Sequence, residues 1–494
     1  MTYIRRPVPP ETTGESLSIG DTDFGVQVSI GVVGRVITAA VAFLGSVLLA
    51  RVLGPAGYGT FYLLMAIVSF LDNPVTGWAS ACRKRLTEED FPSDEAVGST
   101  LIGVLAMSVL VVAAARVASP LIADFSGYAD GWLLLSVLFV GMVMYHTANE
   151  VLKSTEKFGT STWLEASRDT VRVLAQAALV LAGLGVAGMV GGMVLANLLV
   201  APVVLYLVGI RPRVPSRSTL EEVWSYARYS IPSGVVGTAQ QRMDIILLGA
   251  LATTEVVGKY EVAFKLTIPA MFIAGIAQNG LMGRISNLRS RGEEFATDIQ
   301  RNIAYASILG IPLFFGALTL AGPVMVTIYS NQYAGAAPFL IGLALFRLLR
   351  TQKSILKATL NGLDRPDLNF RVSTVVFPLN LLLGVGLLVA IGPTGVVIAT
   401  VVSEIVGYGA RAYAVRSIVP SVSVFPKPLR EQAASGVVMA VVVVAARAAL
   451  PLEEWVYVAA VVGLGGLTYF AALVSISHPF RATVVAVTKD AGLR

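Results

Sequence analysis

The sequence predicts an all-α polytopic membrane protein of about fourteen transmembrane helices, with both termini in the cytoplasm. Three observations carry that prediction. First, only 14% of the 494 residues are charged and 55% are hydrophobic, at a mean hydropathy of +0.73, whereas soluble domains carry about 25% charged residues. Second, the deficit runs along nearly the whole chain, so it marks many spans, each of about 20 apolar residues, and not one anchor. Third, the loops between the apolar runs alternate in charge, which assigns their sides. The runs are continuous and do not alternate with a period of two, which leaves helices and excludes a β-barrel.

Residues 1–25 (MTYIRRPVPPETTGESLSIGDTDFG) are polar, lack the apolar core of a signal peptide and read as a cytoplasmic tail. The first apolar segment, 26–53, ends at the turn Gly54-Pro55-Ala56-Gly57, and the second covers 58–81. Segments near 97–119, 131–150, 163–185 and 187–209 complete a six-helix bundle over 26–210. After a polar linker, 211–225, six more follow near 226–251, 257–283, 301–329, 334–356, 369–391 and 394–416, a second bundle over 226–416. A linker at 417–431 leads to two appended segments within 432–476 (near 432–450 and 454–476) and to a cytoplasmic tail, 477–494. One set of loops is rich in Lys and Arg: CRKRLTEEDFPSDE, EVLKSTEKFGTS, RPRVPSRSTLEE, RISNLRSRGEEF, KATLNGLDRPD and RSIVPSVSVFPKPLREQ. The other set has neither: GPAG, IADFSGYAD, GLGVAG, ATTEVVG, YSNQYAGAA, IGPTG and LPLEE. Basic loops translocate poorly, so the alternation supports both the helix count and the placement of the termini. The net charge of +6 belongs to that cytoplasmic face, and no nucleic acid is expected.

The chain reads as a duplication. Its opening stretch, VQVSIGVVGRVITAAVAFLGSVLLARVLGPAGYGTF from Val26 to Phe61, is echoed more weakly by LLGALATTEVVGKYEVA from Leu247 to Ala263. Glu156-Lys157-Phe158-Gly159, a long apolar stretch and Gly185-Val186-Ala187-Gly188 match Asp364-Arg365-Pro366, a similar stretch and Gly392-Pro393-Thr394-Gly395. An even number of helices per half keeps the orientation, so the repeat is parallel, about an axis along the membrane normal. Aligning Gly59 with Gly258 sets Arg35 opposite Gly234 and Arg242 opposite Phe43. The scaffold repeats, and the charges do not.

LARVLGPAGYGTFYLL at 49–64, MDIILLGALATTEVVGKYEVA at 243–263 and LNGLDRPDLNF…IGPTGVVIAT at 360–400 resemble polysaccharide and lipid-linked oligosaccharide flippases. These are the Wzx-type members of the multidrug/oligosaccharidyl-lipid/polysaccharide exporter superfamily. The resemblance covers residues 26–476, and its LGxxxYG-like turn and VGxYxxA pattern stand in order at the expected helix ends. It implies two six-helix bundles around a central cavity, and alternating access. It also implies passage of a polyprenyl-linked glycan from the cytoplasmic to the outer leaflet of the cell membrane.

Ionisable residues inside apolar segments mark function or pairing, because hydrocarbon disfavours them by about 3 kcal/mol or more. Arg35 either lines a cavity or snorkels to the headgroups. Asp72, beside Asn73 and Pro74, either faces a cavity or caps a kink. Arg242 and Asp244 stand two apart on different helix faces and do not neutralise each other, so cavity lining is expected. Glu261 and Lys265 form an i,i+4 pair that suits a structural salt bridge or a binding site. The tenth segment places Arg347, Arg350, Lys353 and Lys357 within about 120° of one face. Such a stripe suits a phosphate or diphosphate head group bound bidentately by Arg; the alternative is a helix that emerges around Arg350. Glu404 is either a proton or cation site or a partner of Arg371. Glu165, Arg168, Asp169 and Arg172 fit two i,i+3 pairs on a helix extending into the cytoplasm.

Other chemistries lack their motifs. Gly183-Leu184-Gly185-Val186-Ala187-Gly188 satisfies G-x-G-x-x-G but has no preceding strand, so it reads as a turn. Gly188 and Gly192 suit close helix packing. No phosphate-binding loop of the ATPase type occurs. Cys82, alone, excludes an internal disulfide, and His146 and His478 form no metal or triad cluster. Short loops on both faces leave no room for a catalytic domain. The reading is therefore a transporter and not an enzyme, with no catalytic residue, metal or cofactor: a lipid-linked oligosaccharide flippase. Its expected head-group contacts are Arg35, Arg242, Arg347 and Arg350, with Asp72, Asp244, Lys265 and Glu404 as coupling sites or polar partners. Expected partners are the polyprenyl-linked glycan, membrane lipids, and glycosyltransferases or a polymerase of the same pathway. A cation-coupled multidrug exporter of the same superfamily and a non-transporting assembly protein are the alternatives.

Overall fold

A computed structural model describes residues 21–86, 88, 91–154 and 158–482, apart from the side chains of 21–38 and 158. Every regular element among them is helical. The breaks fall where the sequence supplies glycine or proline. In α1 (Asp21–Leu71), Gly54 adopts φ 67° and ψ 174° ahead of Pro55; a left-handed φ is a conformation glycine enters freely. Asp72 and Pro74 separate α1 from α2 (Asn73–Arg85), since proline supplies no N–H to the preceding turn. Next come α3 (Ser93–Val117), the short α4 (Ser119–Ser126) and α5 (Gly131–Ser154).

Two hairpins reproduce the sequence repeat. Gly183 and Gly185, both at positive φ, turn the chain between α6 (Phe158–Leu179) and α7 (Gly185–Val208). A β-carbon on Gly192 would fall 2.4 Å from the Gln176 amide nitrogen, and one on Gly188 would fall 2.9 Å from the Leu179 carbonyl carbon. The small-residue pair thus lets two antiparallel backbones touch. The second set of helices opens with α8 (Arg217–Leu251), capped by the Ser216 hydroxyl, and α9 (Thr254–Leu266), capped by Thr253. It continues through α10 (Phe272–Ser290), α11 (Ala296–Ala306), α12 (Gly310–Tyr329) and α13 (Ala337–Gly362). In the corresponding hairpin, α14 (Pro366–Ile391) and α15 (Thr394–Ile418) meet at Gly392, where a β-carbon on Gly395 would lie 2.3 Å from the Leu387 carbonyl oxygen. Finally α16 (Lys427–Ala449) and α17 (Trp455–Ile476) pack together and against α12.

Among the described residues, ten helical runs are long and apolar enough to cross a membrane, or eleven if the pair Thr254–Leu266 and Ile268–Ser290, bent by 43°, acts as one. The chain is a multi-pass membrane protein. Two of the ten runs, 39–71 and 159–208, contain the breaks at Gly54 and Gly183. The polar α8 is not among them.

One apolar core joins the first helices to the later ones, with Tyr58, Leu63, Tyr260, Tyr329 and Tyr333 buried in it. At the end that carries the short loops without Lys or Arg, the two sets of helices are tied together. Arg51 donates to the carbonyls of Thr327 and Ile328. The Tyr333 hydroxyl donates to the Ala50 carbonyl over 2.9 Å, and Lys265 donates to Tyr58 over 2.8 Å and also to Tyr62. Toward the basic-loop end the packing leaves polar cavities.

Candidate functional site

A cavity of about 380 Å³ is lined by α8, α9, α13, α14 and α15. Its wall carries five cations, Arg242, Arg347, Arg350, Lys353 and Arg411, against three carboxylates, Asp244, Glu261 and Glu404. The polar turn Gln240-Gln241-Arg242-Met243-Asp244 of α8 supplies one side, and the basic face of α13 supplies the other. Among the described residues these eight charges make one ion pair, Lys353 to Glu404 at 2.5 Å.

Neutral groups hold several of the rest. Asp244 accepts from the Tyr260 hydroxyl at 2.6 Å and the Thr400 hydroxyl at 3.1 Å. Buried Arg347 donates to the Thr267 hydroxyl at 3.3 Å, and its guanidinium lies 4.2 Å from the centre of the Phe264 ring. Arg411 donates to the Asn369 side chain, the Gly407 carbonyl and the Ser373 hydroxyl at 2.9–3.1 Å. Arg242 and Arg350 have no ion pair among the described residues, although Arg350 faces the Phe346 ring at 5.4 Å. These two guanidinium groups, outside any ion pair among the described residues, leave the wall with more cations than carboxylates, an arrangement that favours an anion electrostatically.

Several sequence-predicted residues stand differently from expectation. Glu404 pairs with Lys353 and not with Arg371, because α13 and α15 lie side by side over this stretch. Lys265 does not close on Glu261. Its ammonium lies 4.4 Å from the Tyr62 ring centre and 5.3 Å from that of Tyr58, where two hydroxyls and two ring faces offer more than an i,i+4 pair. Lys357 is exposed and leaves the stripe, so three cations of α13 face the cavity. Glu165 pairs with Lys153 at 3.1 Å and Arg168 with Asp169 at 2.5 Å; of the two spacing-predicted pairs, Asp169 with Arg172 is found, at 3.5 Å. The Arg35 side chain lies outside the described residues.

Asp72 sits at the break before α2 and also has a partner that sequence reasoning set aside. His146 of α5 places its Nδ1 2.7 Å from the Asp72 carboxylate. A lone carboxylate in an apolar segment needs a partner, and that signal was present. The sequence did not say which helix lay alongside. Next to Asp72, Asn73 exchanges two hydrogen bonds of 3.0 and 3.1 Å with Thr238 of α8. Tyr260 and Thr400 were likewise invisible as site residues, since their roles depend on tertiary contacts, whereas Arg411 stood out as a charge on the Glu404 face of the twelfth segment without its partners being legible.

The family described as "Polysaccharide biosynthesis protein" matches residues 48–338. "Probable flippase AglR" of Haloferax volcanii is 27% identical over 469 residues, covering 93% of this chain and 96% of that protein. "Probable low-salt glycan biosynthesis flippase Agl15" of the same organism is 25% identical over 397 residues, covering 78% and 82%. Among solved structures, the lipid II flippase MurJ in an inward closed conformation aligns with 92% of this chain and 99% of its own, at a TM-score of 0.77 and 14% identity. An inward-facing multidrug resistance MATE family transporter aligns at a TM-score of 0.58 and 16% identity, covering 78% and 96%. At such identities these structures establish the fold.

Proposed function

We propose a translocation route from one premise: this chain belongs to the polysaccharide biosynthesis protein family of the multidrug/oligosaccharidyl-lipid/polysaccharide exporter superfamily, and it is a lipid-linked oligosaccharide flippase. In this reading it crosses the cell membrane fourteen times with both termini in the cytoplasm. Its bundles are 26–210 and 226–416, with two appended helices within 432–476. Support comes from the helix breaks at Gly54 and Gly183 inside apolar runs of 33 and 50 residues, each longer than the roughly 20 residues of one crossing. Further support is that α8 runs antiparallel to α1 and α2 for its whole length. Gly249 meets Leu63, Thr238 meets Asn73, and Ser225 meets Arg85.

The phosphate of the carrier lipid enters from the cytoplasmic end and docks on Arg242 and Arg350, with Arg347 behind them and Arg35 a further contact. The polyprenyl tail stays in lipid. The carrying observation is the wall of five cations and three carboxylates with a single internal ion pair. A cationic drug would meet Arg242 and Arg350 as like charges, which disfavours drug export. Rocking of the bundles then exposes the head group on the outer side. Asp244 and Asp72, with Lys265 and Glu404, are polar partners or coupling sites on helices that must shift. Glycosyltransferases or a polymerase of the same pathway supply and consume the substrate.

A hydrogen bond to a charged group contributes about 1.5–3 kcal/mol, so Arg242→Ala or Arg350→Ala lowers glycolipid transport in proteoliposomes about tenfold or more. Undiminished transport in both variants would sink the phosphate site.

A further inference from the structure

We propose that a second cavity, nearer the N-terminal end of α8, binds the glycan of the substrate, so that phosphate and sugar are read by different helices. This rests on the phosphate site above. The second cavity, about 480 Å³, lies between α2, α5, α6 and α8. A cleft of this size is within the range of small-molecule sites.

Its electrostatics are opposite in kind to those of the first. All five charged side chains on its wall are paired: Glu150 with Arg83 and Lys153, Glu165 with Lys153, and Asp169 with Arg168 and Arg172. No cation is left for a phosphate. Polar capacity nonetheless remains. Among the described residues neither the buried Tyr145 hydroxyl nor Ser80 has a hydrogen-bond partner, and His146 bonds Asp72 through Nδ1, which leaves Nε2. Charge-matched carboxylates such as Glu165 and Asp169 can still accept hydrogen bonds through their free lone pairs. A neutral ligand dense in hydroxyls fits this set, and a carbohydrate is such a ligand.

The spacing also fits. Ser230 and Gly234 of α8 line the second cavity and Gln240 and Gln241 the first. Six residues of helix, Gly234 to Gln240, span about 9 Å, the distance from a phosphate to the first or second sugar attached to it. Gly234 and Gln241, seven apart, share a helix face. Since α8 starts at the basic-loop end, the phosphate lies deeper and the glycan trails toward the cytoplasm.

The test uses the full chain purified from its own cells in lipid nanodiscs. Co-purifying carrier lipid is resolved by mass spectrometry into glycan-bearing and bare polyprenyl phosphates. Ser80→Tyr, which fills the second cavity, is expected to lower the ratio of glycan-bearing to bare carrier about fivefold or more. Tyr145→Phe, which removes one hydroxyl and almost no volume, should lower it about twofold. Arg350→Ala should lower total carrier lipid and leave the ratio unchanged. An unchanged ratio in both Ser80→Tyr and Tyr145→Phe overturns the glycan site, as does a wild-type protein that retains only bare carrier. Arg350→Ala retaining wild-type amounts of carrier overturns the phosphate site instead.

Discussion

Gly59 and Gly258, the two residues that the internal repeat sets in register, touch each other. A β-carbon on Gly59 would lie 1.7 Å from the Thr254 carbonyl oxygen, and one on Gly258 would lie 1.9 Å from that of Pro55. Backbone cannot yield as a flexible side chain does, so even Gly59→Ala forces α1 from α9, at about 1–3 kcal/mol. The expected result is a lower thermal unfolding midpoint together with reduced glycolipid transport. Gly57→Ala is the control, because there a β-carbon meets only the side chains of Leu53 and Val186, at 3.4–3.5 Å. Equal behaviour of the two variants would refute the contact. The repeat was legible in the sequence through these glycines, but not that they meet. A residue pattern gives register along a helix, and a pseudo-symmetry axis is a property of how two helices pack. For the same reason Lys265 looked like the partner of Glu261, when Tyr58 and Tyr62 of a distant segment capture it.

At the scale of elements, Lys353 and Glu404 brace α13 against α15 with Glu404 almost fully buried. Removing one partner of a buried pair leaves an uncompensated charge, at about 3 kcal/mol or more. Glu404→Gln should therefore destabilise the protein, as read by thermal unfolding in detergent. Replacing both with apolar residues of similar volume, Lys353→Met with Glu404→Leu, should recover most of the loss. The double variant leaves the net charge of the cavity unchanged, so retained transport identifies Glu404 as a brace, and lost transport with recovered stability identifies a coupling site. The sequence located the two residues in the tenth and twelfth apolar segments. It offered Arg371 as the partner of Glu404 and did not show Lys353, because that pairing depends on the rotation of α13 and α15 about their axes. The basic face of α13 was legible, since one helix carries it and 100° per residue suffices. The contribution of Arg242 from α8 to the same wall was legible only as an unneutralised charge.

For the whole molecule, the all-helical fold was legible in the continuous apolar runs, and loops such as RPRVPSRSTLEE and ATTEVVG predict the sidedness. Apolarity alone is less informative about α8, which carries so many polar residues that it is not among the ten long apolar runs. Arg213 and Arg291 decide the matter. Both are exposed and they flank α8, α9 and α10. If α8 crosses the membrane and the bent pair α9 and α10 crosses back, the two arginines lie on one side. If α8 does not cross, one crossing separates them and they lie on opposite sides. In a Cys82→Ser background, which alters only one buried thiol, Arg213→Cys and Arg291→Cys should both react with a membrane-impermeant maleimide in inverted vesicles and not in intact cells. Asp130→Cys and Glu453→Cys, in short loops without Lys or Arg, should show the reverse. Gln241→Cys, in the cavity wall, reports the conformation: with Arg51, Lys265 and Tyr333 tying the short-loop end shut, it should be labelled from the basic-loop side alone. Labelling of Gln241→Cys from intact cells would mean that the opposite end stands open.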